Sequence, residues 1–350
     1  PGSGKTIVAV YLMKYFADSE VYKDKKIGFV VPQTSLRKTM RTVFKSIYGL
    51  SSKQVLGPSD VVKSKYDVLV VDEAHRLHQY KNIANMGSFK KNCEKLGMDT
   101  KCDELDWIYH QSDTTIVFYD ALQVVGPSGI DYQRFCKKQN DLNARYTCYF
   151  ELLTQMRVNG GNGYIAFVKD MLHTCCKEKY HSDAYTLELV TSFSKFNALQ
   201  SEFEKKYELC RMVAGYAWPW KSNKDPNQFD IVIDGVEKKW NHCTEGWVTT
   251  DASKEEVGCI HSIQGYDLNY AFVILGNEIG YDKEKKELIV RPNEYFDKNG
   301  KRTASYDALL EYIRHVYYVL LTRGIKGTYL YVCDDALRAY LEEFVDVLKD

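Results

Sequence analysis

The chain opens with PGSGKT at residues 1–6 and continues directly into the apolar sequence IVAV at residues 7–10. The first six residues match the second half of the phosphate-binding loop G-x-x-x-x-G-K-[ST], whose glycines let backbone N–H groups turn towards phosphates. The Lys5 side chain is expected to contact the β- and γ-phosphates, and the Thr6 hydroxyl to bind Mg²⁺. A helix beginning at Lys5 would add the positive end of its dipole to this anion site. We therefore predict a nucleotide-binding loop made of Gly2, Ser3, Gly4, Lys5 and Thr6.

A partner motif lies at residues 67–75, DVLVVDEAH, in which a short apolar run ends in two acidic residues. This pattern predicts a buried parallel strand that delivers Asp72 to Mg²⁺ and Glu73 to an attacking water. A strand that merely ends in an acidic turn would look the same in isolation. Because both motifs occur in this order and at this spacing, we interpret the pair as a nucleotide triphosphatase core.

The strand that normally precedes a phosphate-binding loop is absent from this sequence, and so is the leading glycine of the loop. We therefore expect the first lobe to lack its initial strand in this chain, either as a fragment of a longer protein or through a truncated N-terminus. That strand normally lies in the middle of the sheet. A chain without it could also be a non-hydrolysing binding module, so this alternative stays open.

The composition indicates two domains and no global attraction to polyanions. The length of 350 residues is enough for two compact cores, and the 47 Lys and Arg residues balance the 47 Asp and Glu residues. The ten cysteines are scattered without a C-x-x-C pair, which favours a reducing, cytoplasmic environment. No apolar run approaches the length needed to cross a bilayer, so we expect no membrane partner.

Helices and strands alternate after the first motif. Helical spacing predicts a helix over residues 6–16, and a basic helix is expected to open at residues 36–41. Apolar runs predict strands over residues 26–31, 114–119 and 146–153. The basic helix either contacts a phosphate backbone or presents a solvated face, and its charge alone favours neither reading.

The second half of the chain follows a glycine-rich turn at residues 160–163. We place the domain boundary before it, which gives a first lobe over residues 1–155 and a second lobe over residues 156–350. In the second lobe we expect a helix over residues 193–207, a hairpin over residues 231–240 and a C-terminal helix over residues 337–348.

Three further motifs stand in the second half. The aromatic cluster GYAWPW at residues 215–220 follows a predicted strand, and we favour core packing over a stacking platform for bases. The sequence GCIHSIQGYD at residues 258–267 predicts a strand that breaks at a polar turn, and VYYVLLTRG at residues 316–324 predicts a helix that ends at Arg323. Such an arginine either supplies its guanidinium to a γ-phosphate or caps its own helix, and taken alone capping is the commoner case.

Taken together, the motifs PGSGKT, VVDEAH, FYDALQ, LTQMR, HSIQG and LLTRG resemble those of superfamily 1 helicases, in the same order along the chain. More narrowly, VVDEAHR, GYAWPW, GCIHSIQG and YYVLLTRGIKG resemble the Schlafen-type DNA/RNA helicase domain. The likeness covers nearly the whole chain. It implies an α/β fold of two RecA-like P-loop NTPase lobes with parallel sheets, and ATP and Mg²⁺ as cofactors.

The resemblance also implies a role for each matching residue. Lys5 and Thr6 match the phosphate and Mg²⁺ contacts, while Asp72 and Glu73 match the metal ligand and the catalytic base. Gln123 would be the γ-phosphate sensor, Arg157 and Arg323 the arginine fingers of the second lobe, and Gln264 and Gly265 part of the motif that couples nucleotide to nucleic acid.

The expected function is an ATP-dependent helicase-like motor that binds or moves along single-stranded DNA or RNA. One alternative is a nucleotide-gated switch or regulatory ATPase that signals to a fused effector without translocation. Members of the resembled family are often fused to a nuclease or another N-terminal module, so an upstream effector is a candidate partner. The sequence does not separate the motor from the switch, because both need the same arginines.

Overall fold

Two parallel β-sheets, each packed with helices, organise the computed structural model of this protein. The structure describes residues 2–83, 85–142, 146–263 and 265–348. The chain divides into two compact units, Ser3–Leu153 (the first unit) and Thr154–Asp350 together with Pro1–Gly2 (the second unit). The predicted fold class, α/β with parallel sheets, is confirmed.

The first unit is built on a four-stranded parallel sheet with the order β2-β1-β3-β4. Its strands are β1 (Ile27–Val30), β2 (Val55–Leu56), β3 (Tyr66–Val71) and β4 (Ser112–Val117). Successive side chains of β3 point to opposite faces, so Val68 and Val70 enter one hydrophobic core while Leu69 and Val71 enter another. Burial on both faces explains why this strand is recognisable in the sequence as a continuous apolar run.

The helices of the first unit are α1 (Lys5–Asp18), α2 (Thr34–Ser46), α3 (Pro58–Val61), α4 (Met86–Lys95), α5 (Glu104–His110) and α6 (Tyr132–Asp141). Met13 of α1 and Phe44 of α2 belong to the core on one face of the sheet, and Leu105 and Ile108 of α5 belong to the core on the other. The helix predicted after the phosphate-binding loop and the basic helix are both confirmed.

Two arginines of the basic helix α2 bind the backbone of the first unit. The Arg37 guanidinium donates to the carbonyl oxygen of Val31 at 2.8 Å, and the Arg41 guanidinium donates to the carbonyl oxygen of Val55 at 3.2 Å. Each arginine therefore has a structural role beside a strand end, whether or not it also contacts a ligand.

The second unit contains a six-stranded parallel sheet with the order β14-β5-β13-β10-β6-β9. Its strands are β5 (Thr186–Leu189), β6 (Cys210–Ala214), β9 (Val257–Gly258), β10 (Leu268–Leu275), β13 (Gly324–Val332) and β14 (Asp346–Val347). Two antiparallel hairpins accompany this sheet, β7 (Ile231–Ile233) with β8 (Val236–Lys238) and β11 (Ile279–Asp282) with β12 (Glu287–Val290). The hairpin predicted over residues 231–240 is confirmed, with Asp234 and Gly235 at positive φ in its turn.

The helices of the second unit are α7 (Gly161–Leu172), α8 (Phe193–Tyr207), α9 (Ile260–Ile263), α10 (Lys298–Lys301), α11 (Tyr306–Leu321) and α12 (Asp335–Glu342). The bounds of α8 match the prediction. Its residues Phe193 and Phe196 pack into a core with Phe272 of β10 and Tyr331 of β13. Across the described part of the chain, no helix has the length and apolar character that crossing a membrane requires.

Three predicted elements differ from the structure. The strand predicted within residues 258–267 is wrong beyond Gly258, because Ile260–Ile263 forms the short helix α9. The strand predicted over residues 146–153 is wrong, because these residues form no strand and several of their large apolar side chains are exposed. A strand is stable only beside a hydrogen-bonded partner, and none of the described strands pairs with this segment. The predicted C-terminal helix is too long, because α12 ends at Glu342 and Asp346–Val347 pairs with β5 instead.

Candidate active site

The phosphate-binding loop leads directly into α1. Gly2 and Gly4 have φ values of 77° and 79°, in the left-handed region that glycine adopts without strain. Gly4 is the N-cap of α1, and no side chain caps this helix among the described residues. The first-turn N–H groups, which have no partner inside the helix, can therefore bind an anion.

The Thr6 hydroxyl and the Asp72 carboxylate meet at the N-terminus of α1. Thr6 Oγ1 donates to Asp72 Oδ2 at 2.7 Å, and the backbone N–H of Glu73 donates to Asp72 Oδ1 at 3.0 Å. Asp72 follows β3 directly and is fully buried, with its backbone N–H bonded to the carbonyl of Val30 on β1. The structure thus brings the two predicted Mg²⁺ ligands together.

The electrostatics of Asp72 suit a cation. Burial raises the pKa of the Asp72 carboxyl above its ordinary value, and the neighbouring Glu73 carboxylate raises it further. A bound cation would reverse both effects, because it favours the ionised form. Hydroxyl and carboxylate oxygens are the hard donors that Mg²⁺ prefers, so Thr6 and Asp72 fit this metal.

Glu73 stands beside His75 in the turn after β3. Its backbone is left-handed, with φ 53°, and its Oε2 lies 3.0 Å from Nε2 of the buried His75. Burial alone would raise the pKa of Glu73, but the interaction and hydrogen bond with His75, together with the charges of Arg76 and Lys5, outweigh it and lower the pKa to about 2. Glu73 is therefore an ionised carboxylate at neutral pH, as a group that accepts a proton must be.

Asp120 is a further residue of this site, to which the sequence interpretation gave no role. It follows β4, and its Oδ2 accepts from Lys5 Nζ at 3.0 Å and from Gln123 Nε2 at 2.8 Å. Burial would raise the pKa of Asp120, but the surrounding positive charges, Lys5 among them, hold it well below its usual range. The sheet order explains the position, because Asp120 follows β4, the strand that pairs with β3, and therefore lies near Asp72.

The remaining candidates lie in the second unit. Arg157 Nε is 2.5 Å from Asp267 Oδ1, which joins the LTQMR segment to the turn that precedes β10. Gly265 lies in this turn with φ 93°, whereas Gln264 lies outside the described residues. Arg323 is 1% exposed, and its guanidinium donates to the carbonyl oxygens of Val319 and Tyr266, both at 3.3 Å.

The candidate residues occupy different edges of the two sheets. In the first unit, Asp72 follows β3 and Asp120 follows β4, at the carboxyl edge where open α/β sheets bind ligands. In the second unit, Gly265 precedes β10 and Arg323 precedes β13, at the amino edge. The aromatic cluster at residues 215–220 instead follows β6, at the carboxyl edge of the second sheet.

The two parallel sheets, with the glycine-rich loop and the acidic residues at the carboxyl edge of the first sheet, have the arrangement of a P-loop fold. The chain matches the family described as Schlafen group 3, DNA/RNA helicase domain, over residues 1–334. It therefore belongs to this family, and the predicted resemblance is confirmed.

The other similar proteins either match a smaller part of this chain or share less sequence identity with it. The uncharacterized protein YPL245W of Saccharomyces cerevisiae is 35% identical over 150 residues, which cover 40% of this chain and 33% of that protein. The chain thus spans about a third of the length of this curated relative. A solved structure of Mss116p bound to ssRNA and AMP-PNP shares 10% identity, covers 93% of this chain and 64% of its own, and has a TM-score of 0.35. A structure of Pif1 helicases at forked dsDNA shares 9% identity, covers 94% and 86%, and has a TM-score of 0.28.

Proposed function

We propose that this domain binds ATP with Mg²⁺, hydrolyses it and couples the cycle to binding or movement along single-stranded DNA or RNA. The observation that carries the proposal is the convergence of Lys5, Thr6, Asp72, Glu73 and Asp120 at the carboxyl edge of the first sheet. Membership of a DNA/RNA helicase domain family supports the nucleic-acid part.

The chain's own residues would divide the work of hydrolysis. The N–H groups at the start of α1 and the Lys5 ammonium bind the phosphates, and Thr6 and Asp72 hold Mg²⁺, which neutralises phosphate charge. Glu73 orients the attacking water and accepts its proton, a role for which its ionised state prepares it. Gln123, bonded to Asp120, is the proposed γ-phosphate sensor.

The residues of the second unit would link hydrolysis to conformation. Arg157 and Arg323 are the proposed arginine fingers, and Gln264 and Gly265 the proposed coupling motif. Both arginines have partners in the turn that precedes β10, namely Asp267 for Arg157 and the Tyr266 carbonyl for Arg323. A displacement of either guanidinium would therefore change the conformation of this turn. We propose the two units as the two lobes of the motor.

The test is ATP hydrolysis by the purified protein, with and without single-stranded homopolymers of DNA and RNA. The Lys5→Ala variant should abolish hydrolysis, because the ammonium that faces the phosphates is lost. Lys14→Ala is the matched control, because Lys14 lies on the same helix as Lys5. Among the residues that the structure describes, its ammonium forms an ion pair only with Asp18, on the same helix. Stimulation of the rate by a polymer supports the motor. Hydrolysis that no polymer stimulates supports a nucleotide-gated switch, and no hydrolysis at all would leave a binding module.

A further inference from the structure

The aromatic cluster at residues 215–220 divides into a packed part and an exposed part. Tyr216 and Trp218 are partly buried and lie 6.2 and 6.3 Å from the ring of the buried Trp240, so they serve the core. Trp220, two residues further on, is 42% exposed. Core packing, which we expected for the whole cluster, therefore does not account for Trp220.

The exposed indole of Trp220 has a fixed orientation. Its Nε1 donates to Ser222 Oγ at 3.1 Å, and Ser222 Oγ in turn donates to Asp230 Oδ2 at 2.6 Å. Asp230 is 3% exposed and also accepts from the backbone N–H groups of Lys221, Ser222 and Trp240 at 2.6, 2.8 and 2.8 Å. The buried carboxylate thus anchors the loop, and the loop holds the ring. A ring ordered before binding loses little conformational freedom when a ligand stacks on it.

The turn that follows Trp220 carries two exposed lysines and one partly exposed carboxylate, that of Asp225. Lys221 and Lys224 lie in the same turn, both are exposed, and neither forms an ion pair in the described part of the chain. Of the acidic groups in the loop, Asp230 is buried and saturated, and Asp225 accepts from the backbone N–H of Asn227 at 3.0 Å. Two uncommitted ammonium groups beside an exposed ring are complementary to a base and its flanking phosphates.

We infer that Trp220 is a stacking platform for one unpaired base of single-stranded DNA or RNA, with Lys221 and Lys224 binding the adjacent phosphates. The inference rests on the proposed function and adds the contact that the polymer makes with the second unit. Trp220 follows β6 at the carboxyl edge of the second sheet, apart from Gly265 and Arg323 at the amino edge. Stacking accepts any base, since every base has a π-face, so this platform holds the strand without reading its sequence.

The experiment compares two polymers of equal charge. One is a short thymidine oligonucleotide, and the other is an abasic oligonucleotide of the same length that keeps the phosphates and lacks the bases. Trp220→Ala should weaken binding of the thymidine oligonucleotide roughly ten- to a hundredfold and leave the abasic one within about twofold. Trp220→Phe should retain most of the affinity. Replacing Lys221 and Lys224 together by Ala should weaken the binding of both oligonucleotides. It should also reduce the slope of the logarithm of the binding constant against the logarithm of the salt concentration by roughly one unit.

Fluorescence gives a second readout. Of the five tryptophans, Trp107, Trp247 and Trp240 are buried and Trp218 is partly buried, so quenching by a stacked base reports mainly on Trp220. Wild-type emission should fall when the thymidine oligonucleotide binds, and this change should disappear in Trp220→Phe. Tyr48→Ala is the matched control. This aromatic is exposed and has a lysine near its ring, Lys14 at 6.0 Å, but it lies in the first unit beyond the end of α2.

The outcomes separate this inference from the proposed function. If wild-type protein binds neither oligonucleotide, the nucleic-acid part of the proposed function fails and the platform fails with it. If wild-type protein binds the thymidine oligonucleotide and Trp220→Ala binds it equally well, only the platform is refuted. Equal losses for the thymidine and abasic ligands would also refute stacking and show that the indole merely supports the loop, which a lowered melting temperature would corroborate.

Discussion

The Thr6 hydroxyl donates a 2.7 Å hydrogen bond to the Asp72 carboxylate, although 66 positions separate the two residues in the chain. The contact joins the first turn of α1 to the end of β3, which the parallel pairing of β1 and β3 holds at the carboxyl edge of the sheet. One hydrogen bond thus connects the phosphate-binding loop sequence with the acidic motif at the end of β3. The pair is the centre on which the proposed chemistry depends.

Thr6 should therefore control the metal dependence of nucleotide binding. Thr6→Ala removes one of the two proposed Mg²⁺ ligands, and we expect the affinity for ATP in the presence of Mg²⁺ to fall at least tenfold. Affinity in EDTA should change much less, because the loop N–H groups and Lys5 remain. Thr6→Ser keeps the hydroxyl and is the matched control. Calorimetric titration under both conditions measures the effect, and equal losses with and without Mg²⁺ would contradict it.

Glu73 should control turnover more than binding. Glu73→Gln keeps the size of the side chain and removes the basic oxygen, so we expect kcat to fall by roughly 10²- to 10⁴-fold. The dissociation constant for ATP should stay within about threefold, measured with a fluorescent nucleotide. Glu284→Gln, in the exposed turn between β11 and β12, is the control. A Glu73→Gln enzyme that hydrolyses ATP at the wild-type rate would remove Glu73 from the role of base.

That Thr6 and Asp72 come together in the first unit was predictable from the sequence, because the proposed chemistry requires particular residue types at particular places. Glycines at positive φ, a lysine and a threonine at a helix start, and acids at a strand end leave a readable pattern. Asp120 was missed because a single acid after a strand has no signature of its own. Its function depends on which strand lies beside β3, and only the sheet order supplies that information.

The fold was predictable where burial alone decides the structure. Strands β1, β3, β10 and β13 are apolar and buried along most of their length because both faces of the sheet are covered, and this pattern identifies them. Residues 146–153 are equally apolar, yet they form no strand, because pairing depends on a neighbour that local sequence does not specify. The end of α12 was misplaced for the same reason, since Asp346–Val347 pairs with β5.

Gly324 should tolerate no side chain. A Cβ at this position would lie 2.1 Å from the backbone oxygen of Gly327, at the start of β13, and the backbone cannot move away as a flexible side chain could. We expect Gly324→Ala to destabilise the protein by more than about 2 kcal/mol in denaturant unfolding. Gly87→Ala is the control, because it meets nothing within 4 Å on helix α4 and should be neutral or stabilising by up to about 1 kcal/mol. Similar effects of the two substitutions would refute this steric argument.

Arg323 should affect turnover more than nucleotide affinity if it is a finger. We expect Arg323→Ala to lower kcat by at least 10³-fold, as removal of an arginine finger does, with a much smaller change in ATP affinity. Arg323→Lys keeps the charge but not the hydrogen bonds to Val319 and Tyr266, so it separates charge from geometry. An equal loss in kcat and affinity would make Arg323 an ordinary binding residue. A loss of kcat that only follows a lowered melting temperature would make its role structural.

A buried carboxyl in the second unit should make stability depend on pH. Glu278 is fully buried, and its Oε1 accepts from the Tyr317 hydroxyl at 2.6 Å, while Oε2 has no hydrogen-bond partner among the described residues. Burial raises the pKa of Glu278 to about 7, although the hydrogen bond from Tyr317 lowers it. The folded state therefore holds this proton more tightly than the unfolded state does.

The sign of the pH dependence follows from linkage. The stabilising contribution of the Glu278 proton is complete below the pKa of the unfolded state, near 4.3, and is lost as the pH rises towards 7. Glu278→Gln mimics the protonated acid, so the variant should match the wild type at pH 4 and exceed its unfolding free energy at pH 8 by on the order of 3 kcal/mol. Urea unfolding at both pH values measures the difference, with Glu287→Gln at an exposed position of β12 as the control. A variant that loses stability equally at both pH values would show that Glu278 is ionised in the folded protein and that the carboxylate itself is required.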